Sequence, residues 1–142
     1  LVLMRALANI KNNMANESVA YGYTLSVWGS GALLLNHFSM TPESILAFVF
    51  GGVIGFGVLA SISFRNLLEP VEKPEIEHIA ASMIHILASI GSVLVTYLAI
   101  TYTDTHSNLL IFLLGAHVTI TYNILLALEE LLSEDIHRFE AR

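Results

Sequence analysis

The sequence predicts an all-α polytopic membrane protein. Four transmembrane helices form two in-out-in hairpins, preceded by an amphipathic helix at the membrane interface. Three observations carry that expectation. Apolar residues make up 55% of the 142-residue chain and charged residues 13%, about half the ~25% charge usual in soluble domains. Four apolar runs, 20–36, 45–64, 79–100 and 109–128, contain no Asp, Glu, Lys or Arg. Each is close to the ~20 residues that a helix needs to cross ~30 Å of hydrocarbon. All six bases then fall on one side: Arg5 and Lys11 before the first run, Arg65 and Lys73 between the second and third, Arg138 and Arg142 after the fourth. That is the positive-inside pattern, which places both termini in the cytoplasm and the chain in the inner membrane.

The single membrane domain, 1–142, is read in order. Residues 1–18 place Leu3, Leu7, Ile10 and Met14 at spacings of four, three and four, with Arg5, Asn9, Asn12, Asn13 and Asn16 largely off that face. This is the pattern of a helix lying on the cytoplasmic leaflet. The first span, 20–36, repeats Gly22, Ser26 and Ser30 every four residues; the second, 45–64, repeats Ala47, Gly51 and Gly55. Small residues at this period let helix backbones approach closely, so the second helix is expected to pack on the first or on another subunit. Four glycines within 51–57 also allow a flexible break there. Pro70 and Pro74 mark 65–78 as a cytoplasmic linker. The third span is 79–100 and the fourth 109–128, and 129–142 extends the fourth helix as a cytoplasmic tail. A faint internal repeat relates "ILAFVFGG" (45–52) to "LLIFLLGA" (109–116), offset by 64 positions. Two copies with the same orientation would be related by an axis along the membrane normal. Tyr21, Tyr23, Tyr97 and Tyr102 fall near the interfaces, whereas Trp28 falls in mid-span.

Composition removes several function classes. The formal charge is −6, carried mostly by carboxylates on the cytoplasmic side, so there is no basic footprint for nucleic acid. Without cysteine the chain has no disulfide, thiolate metal site or thiol redox chemistry. The opening "LVLMRALANIKNNMANES" lacks the apolar core of a cleavable signal. The chain begins at Leu1 rather than Met, as a trimmed chain would.

The third span is the most informative. At ~100° per residue, Ser82, His85, Ser89, Ser92 and Thr96 all fall within about 40° of His78. Polar residues in a membrane turn to a bundle interior or an aqueous cavity, because lipid cannot satisfy them. Hydroxyls can bond their own helix, so the alignment of the set matters more than any one member. His78 follows Glu75 and Glu77 at the edge and can reach water; His85 lies deeper and requires a partner. The fourth span adds His117 and Thr121 on one face, with Thr119, Tyr122 and Asn123 towards the other. By helix rise His85 and His117 sit roughly 10 Å and 16 Å from the cytoplasmic edge, so tilt could bring the imidazoles together. Such histidines can relay protons or hold a metal, or simply hydrogen-bond a neighbouring helix. At the outer loops His37, Glu43, Asp104 and His106 are weak candidates for a divalent cation.

Three functions compete. The leading one is a small homo-oligomeric channel or transporter for an ion or small solute. Its pathway lies between subunits, lined by His78, Ser82, His85, Ser89, Ser92 and Thr96 with His117 and Thr121, and the Gly/Ser seams hold the subunits together. The alternative is a non-transporting assembly or regulatory module acting through its cytoplasmic helices. An enzyme or bis-histidine haem carrier comes last: no carboxylate at membrane depth orients a base, and the two histidine depths match only roughly. No enzymatic activity and no cofactor is expected. The expected partners are the lipid bilayer and further copies of the chain.

Overall fold

The computed structural model describes residues 2–63, 85–104 and 106–140, with backbone alone for 11–17 and 133–140. Every regular element among them is a helix: α1 (Val2–His37), α2 (Pro42–Ser63), α3 (Ile86–Thr101) and α4 (Asn108–Glu140). The linker 65–78, with His78, Ser82 and the first residues of the expected third span, lies outside the described residues, as do 141–142.

Local chemistry sets the helix starts. Thr41 caps α2, its Oγ1 accepting the Ser44 N–H at 3.3 Å, and Pro42 occupies the first helical position, where its missing N–H costs nothing. Ser107 caps α4 in the same way, accepting the Leu110 N–H at 3.1 Å. The start of α3 has no such local cap. His85 stands at the N-cap without a side-chain bond to the helix, and Glu129 of α4 accepts the Leu87 N–H instead.

α2 and α4 are long and apolar enough to cross a membrane. α3 is equally apolar but covers 16 residues, about 24 Å at 1.5 Å rise. The separate interfacial helix expected over 1–18 is not a separate element. α1 runs unbroken for 36 residues, and the stretch 11–17, "KNNMANE", contains neither glycine nor proline to interrupt it. Nor does the glycine-rich stretch break α2: it is helical throughout, and no glycine among the described residues has positive φ. The tail to Glu140 continues α4 as expected.

α1 and α3 run in one direction, α2 and α4 in the other. The loops 38–41 and 102–107 lie together at one end, tied by the Ser44 hydroxyl donating to Asn108 Oδ1 at 2.8 Å. At the opposite, terminal end α1 and α4 reach beyond the packed bundle. One apolar cluster, Leu34, Ile100 and Leu114, closes the loop end. Another, Ala88, Tyr122 and Leu126, lies towards the terminal end.

The second helix packs on α4 rather than on α1, which the small-residue pattern suggested as its partner alongside another subunit. The contact is backbone to backbone and reciprocal. A Cβ on Gly51 would run into the Phe112 carbonyl, and one on Gly115 into the Phe48 carbonyl. Gly51 and Gly115 are 64 positions apart, as are Phe48 and Phe112. The faint repeat therefore coincides with a local two-fold relation between two parallel helices. Gly55 extends the contact to Ala116.

Candidate functional site

The polar stripe of α3 turns inward. Ala88, Ser92, Thr96 and Ile100 are buried at successive fourth positions, facing α1 and α4. Ile86, Leu87, Ile90, Leu94 and Leu98 face outward. Gly22, Ser26 and Ser30 of α1 meet this stripe. The Ser26 and Ser89 hydroxyls both donate to the Gly22 carbonyl, at 3.0 and 3.2 Å. A Cβ on Gly22 would meet the Tyr122 hydroxyl at 2.7 Å, so glycine here lets α4 reach α1. That hydroxyl donates to the Val19 carbonyl at 2.7 Å.

Thr96 is the hub of the deepest group. Its hydroxyl lies 2.8 Å from Ser30 Oγ, 2.9 Å from His117 Nε2 and 3.2 Å from the Ser92 carbonyl, and His117 Nδ1 lies 3.1 Å from Thr121 Oγ1. One residue from each of α1, α3 and α4 thus meets at a single fully buried threonine. A second cross-tie runs from α1 through α4 to α2. The Tyr23 hydroxyl lies 2.9 Å from Thr119 Oγ1, which donates to the Gly52 carbonyl at 3.2 Å.

His85 heads a separate group at the terminal end. Its Nε2 lies 3.5 Å from Ser18 Oγ and its Nδ1 lies 3.5 Å from Glu129 Oε2, while Glu129 Oε1 accepts the Leu87 N–H at 2.6 Å. The carboxylate also sits at the positive end of the α3 dipole. Nδ1 of His85 and Oε2 of Glu129 are buried, and neither has a hydrogen-bond partner among the described residues. The order Ser18–His85–Glu129 resembles that of a hydrolytic triad, but acyl transfer also needs oxyanion donors beside the nucleophile. Ser18 lies within α1, whose own turns consume the neighbouring N–H groups.

The sequence grouped the stripe correctly for the part that is described: His85, Ser89, Ser92 and Thr96 share one face. That reading set the face along a pathway between subunits; in this protomer α1 and α4 cover it. His85 and His117 are not brought together. His85 and Thr96, the α3 partner of His117, are eleven positions apart, about 16 Å by helix rise, and the hydroxyls between them donate to backbone carbonyls, as Ser92 does to Ala88 at 2.7 Å. The outer residues do not assemble either. Phe38 lies between His37, which it meets edge-on, and His106, tilted against it, at ring distances of 4.7 and 5.2 Å. Among the described residues no group of three or more His, Asp or Glu gathers to hold a metal ion.

Glu129, Tyr23 and Tyr122 were not singled out in the sequence as partners. Glu129 looked like one of several solvated acids; its position one residue past the fourth apolar run was the available signal. No protein-family model, curated protein or solved structure matches this chain.

Proposed function

We propose that the chain is an inner-membrane protein with four spans and both termini cytoplasmic, acting as a non-transporting assembly or regulatory module through the projections of α1 and α4. One observation supports this reading: the described part of the polar stripe of α3 is used up inside the protomer. Ser89, Ser92 and Thr96 bond α1, α4 or their own turn, and the exposed side chains on the middle of α2 and α3 are apolar. Polar side chains then act as glue between helices, and the described hydroxyls of the stripe bond within the protomer rather than face a path between subunits. α1 and α4 leave the bundle at the same end as unbroken helices, so a partner gripping either projection pulls directly on the packed core.

A transport reading keeps one favourable observation. The buried His85 Nδ1 and Glu129 Oε2 lie 3.5 Å apart without a hydrogen-bond partner among the described residues, a polar pair inside the protomer rather than between protomers. Purified protein in liposomes carrying a pH-sensitive dye separates the readings. The module reading expects proton, sodium and potassium fluxes equal to those of empty liposomes under every gradient. A proton flux that disappears in His85→Ala would replace it with the transport reading.

A further inference from the structure

One face of α1 stays apolar from end to end. Leu3, Leu7, Ile10 and Met14 continue as Tyr21, Leu25, Trp28, Ala32 and Leu35, at spacings that return to the same side of a straight helix with ~3.6 residues per turn. By register Glu17 alone interrupts the line. Leu3, Leu7, Ile10, Tyr21, Leu25, Trp28 and Leu35 are all exposed, Trp28 the most among those of the apolar run at 76%. The other side of the helix carries Ser26, Ser30 and Leu34, which are fully buried. The stripe runs about 48 Å from Leu3 to Leu35 at 1.5 Å per residue, longer than the ~30 Å hydrocarbon core. Lipid therefore covers only part of it, and Leu3, Leu7 and Ile10 emerge on the aqueous side.

We propose that this face is where α1 packs in parallel against α1 of a second copy, about a two-fold axis along the membrane normal. The inference rests on the four-span reading above. Only a partner crossing the membrane in the same sense brings its apolar and aqueous stretches to matching depths along the whole stripe; a twin of α1 does so by symmetry. The area is sufficient. A seam of about 48 Å at an interaxial spacing of ~10 Å buries roughly 1,000 Å² over both partners, the scale at which specific interfaces begin. Trp28 points the same way. Its indole N–H has no acceptor among the described residues, lipid offers none, and tryptophan ordinarily sits at the membrane interface. The neighbouring Thr24 hydroxyl donates to the Ala20 carbonyl at 2.8 Å and keeps its lone pairs, so a second copy supplies the missing acceptor. The exposed faces of α2 and α3 lie within the apolar lengths and make no comparable demand.

The cysteine-free sequence makes the test direct. Leu25→Cys and Ala32→Cys on α1, with Val53→Cys on α2 and Ile90→Cys on α3 as exposed controls, are reconstituted singly into phospholipid vesicles and oxidised with copper–phenanthroline. Disulfide-linked dimer is expected at positions 25 and 32 at least tenfold above both controls, and Trp28→Ala in the Leu25→Cys background should lower it several-fold. Dimer absent at both α1 positions, or equally abundant at the controls, overturns the proposal. Single-molecule photobleaching of the otherwise unmodified protein in vesicles adds a check independent of the cysteines: two-step bleaching supports the pair, and single-step bleaching overturns it. A carbonate wash separates the two failures. Protein that stays in the vesicles without α1 cross-links refutes the interface alone, whereas protein that washes off refutes the four-span reading.

Discussion

Replacing Gly55 with alanine tests the α2–α4 contact at a position where the geometry sets the cost. A Cβ there would lie 2.6 Å from the Ala116 carbonyl oxygen and 3.0 Å from its Cα. Carbon–oxygen contacts settle near ~3.3 Å, so the helices must part by about 0.7 Å. The obstacle is backbone, so no rotamer change relieves it. Overpacking of this kind costs about 1–3 kcal/mol. The ~1 kcal/mol that alanine gains over glycine in a helix offsets part of that, leaving a net loss of up to about 2 kcal/mol. At Gly51 and Gly115 the overlap with the opposing carbonyls is deeper, and the loss should reach the upper end of that range. Gly57 is the internal control. Nothing lies within 4 Å of its added Cβ, so Gly57→Ala should be neutral or stabilising by up to ~1 kcal/mol. Helices already parted by one alanine admit a second more cheaply, so the Gly51→Ala/Gly115→Ala pair should fall short of additivity by about 1 kcal/mol. Reversible unfolding from mild detergent into SDS, followed by far-UV circular dichroism, supplies each free energy. Gly51→Ala and Gly55→Ala variants as stable as Gly57→Ala, or a strictly additive pair, would refute the contact.

The same assay checks three further expectations. Thr96→Val keeps the shape but strands Ser30 and His117, and should cost about 1–2 kcal/mol; Ser92→Ala, which removes only a bond to its own helix, should cost less than about 0.5 kcal/mol. Equal losses would remove Thr96 from its place as the hub. Glu129→Ala deprives α3 of its cap and should cost about 1 kcal/mol, and Glu129→Gln less, since an amide oxygen still accepts the Leu87 N–H. Hydrogen exchange at the Leu87 amide should accelerate in the alanine variant alone, and unchanged exchange would discard the cap. Tyr122→Phe loses the bond to the Val19 carbonyl and should cost about 1 kcal/mol; a neutral result would mean that the hydroxyl contributes only its bulk.

Helix content and the alignment of the α3 hydroxyls on one face were legible because both follow from local pattern. An apolar run fixes a helix, and serines and threonines repeating on one side fix which face seeks company. Helix partners were not legible, because spacing names a face but not its mate. Gly51 and Gly55 declared a close approach, which the sequence assigned to α1 or to another subunit and not to α4. The choice depends on Gly115 offering its own gap at the matching height, which appears only when the 64-residue offset is set against the fold. Depth misled for His85 and His117. Counting turns from a common edge made them near neighbours, whereas each found a nearer partner, Glu129 and Thr96. The break expected near residue 18 failed because amphipathicity describes a face and says nothing of a bend; with neither glycine nor proline in 11–17, the helix simply continues.

Chain neighbours usually pack together, yet α1 and α2 barely touch. Between them, above α4, runs an apolar groove of about 330 Å³ with Tyr23 and Val27 on one wall and Val49, Val53 and Phe56 on the other. In the second hairpin α3 lies closely on α4, so the repeat does not by itself require the gap. The difference lies in which side of α1 is polar. Ser18, Gly22, Ser26 and Ser30 lie on the side of α1 that meets the hydroxyl face of α3, and α2, whose middle is purely apolar, offers them nothing. In apolar surroundings an apolar helix face is served nearly as well by lipid as by protein, whereas a hydroxyl is served only by another polar group. Polar matching therefore outranks sequence adjacency: α1 turns to α3 and α4, while α2 is held to α4 by its glycine contacts and by the Thr119–Gly52 and Ser44–Asn108 hydrogen bonds.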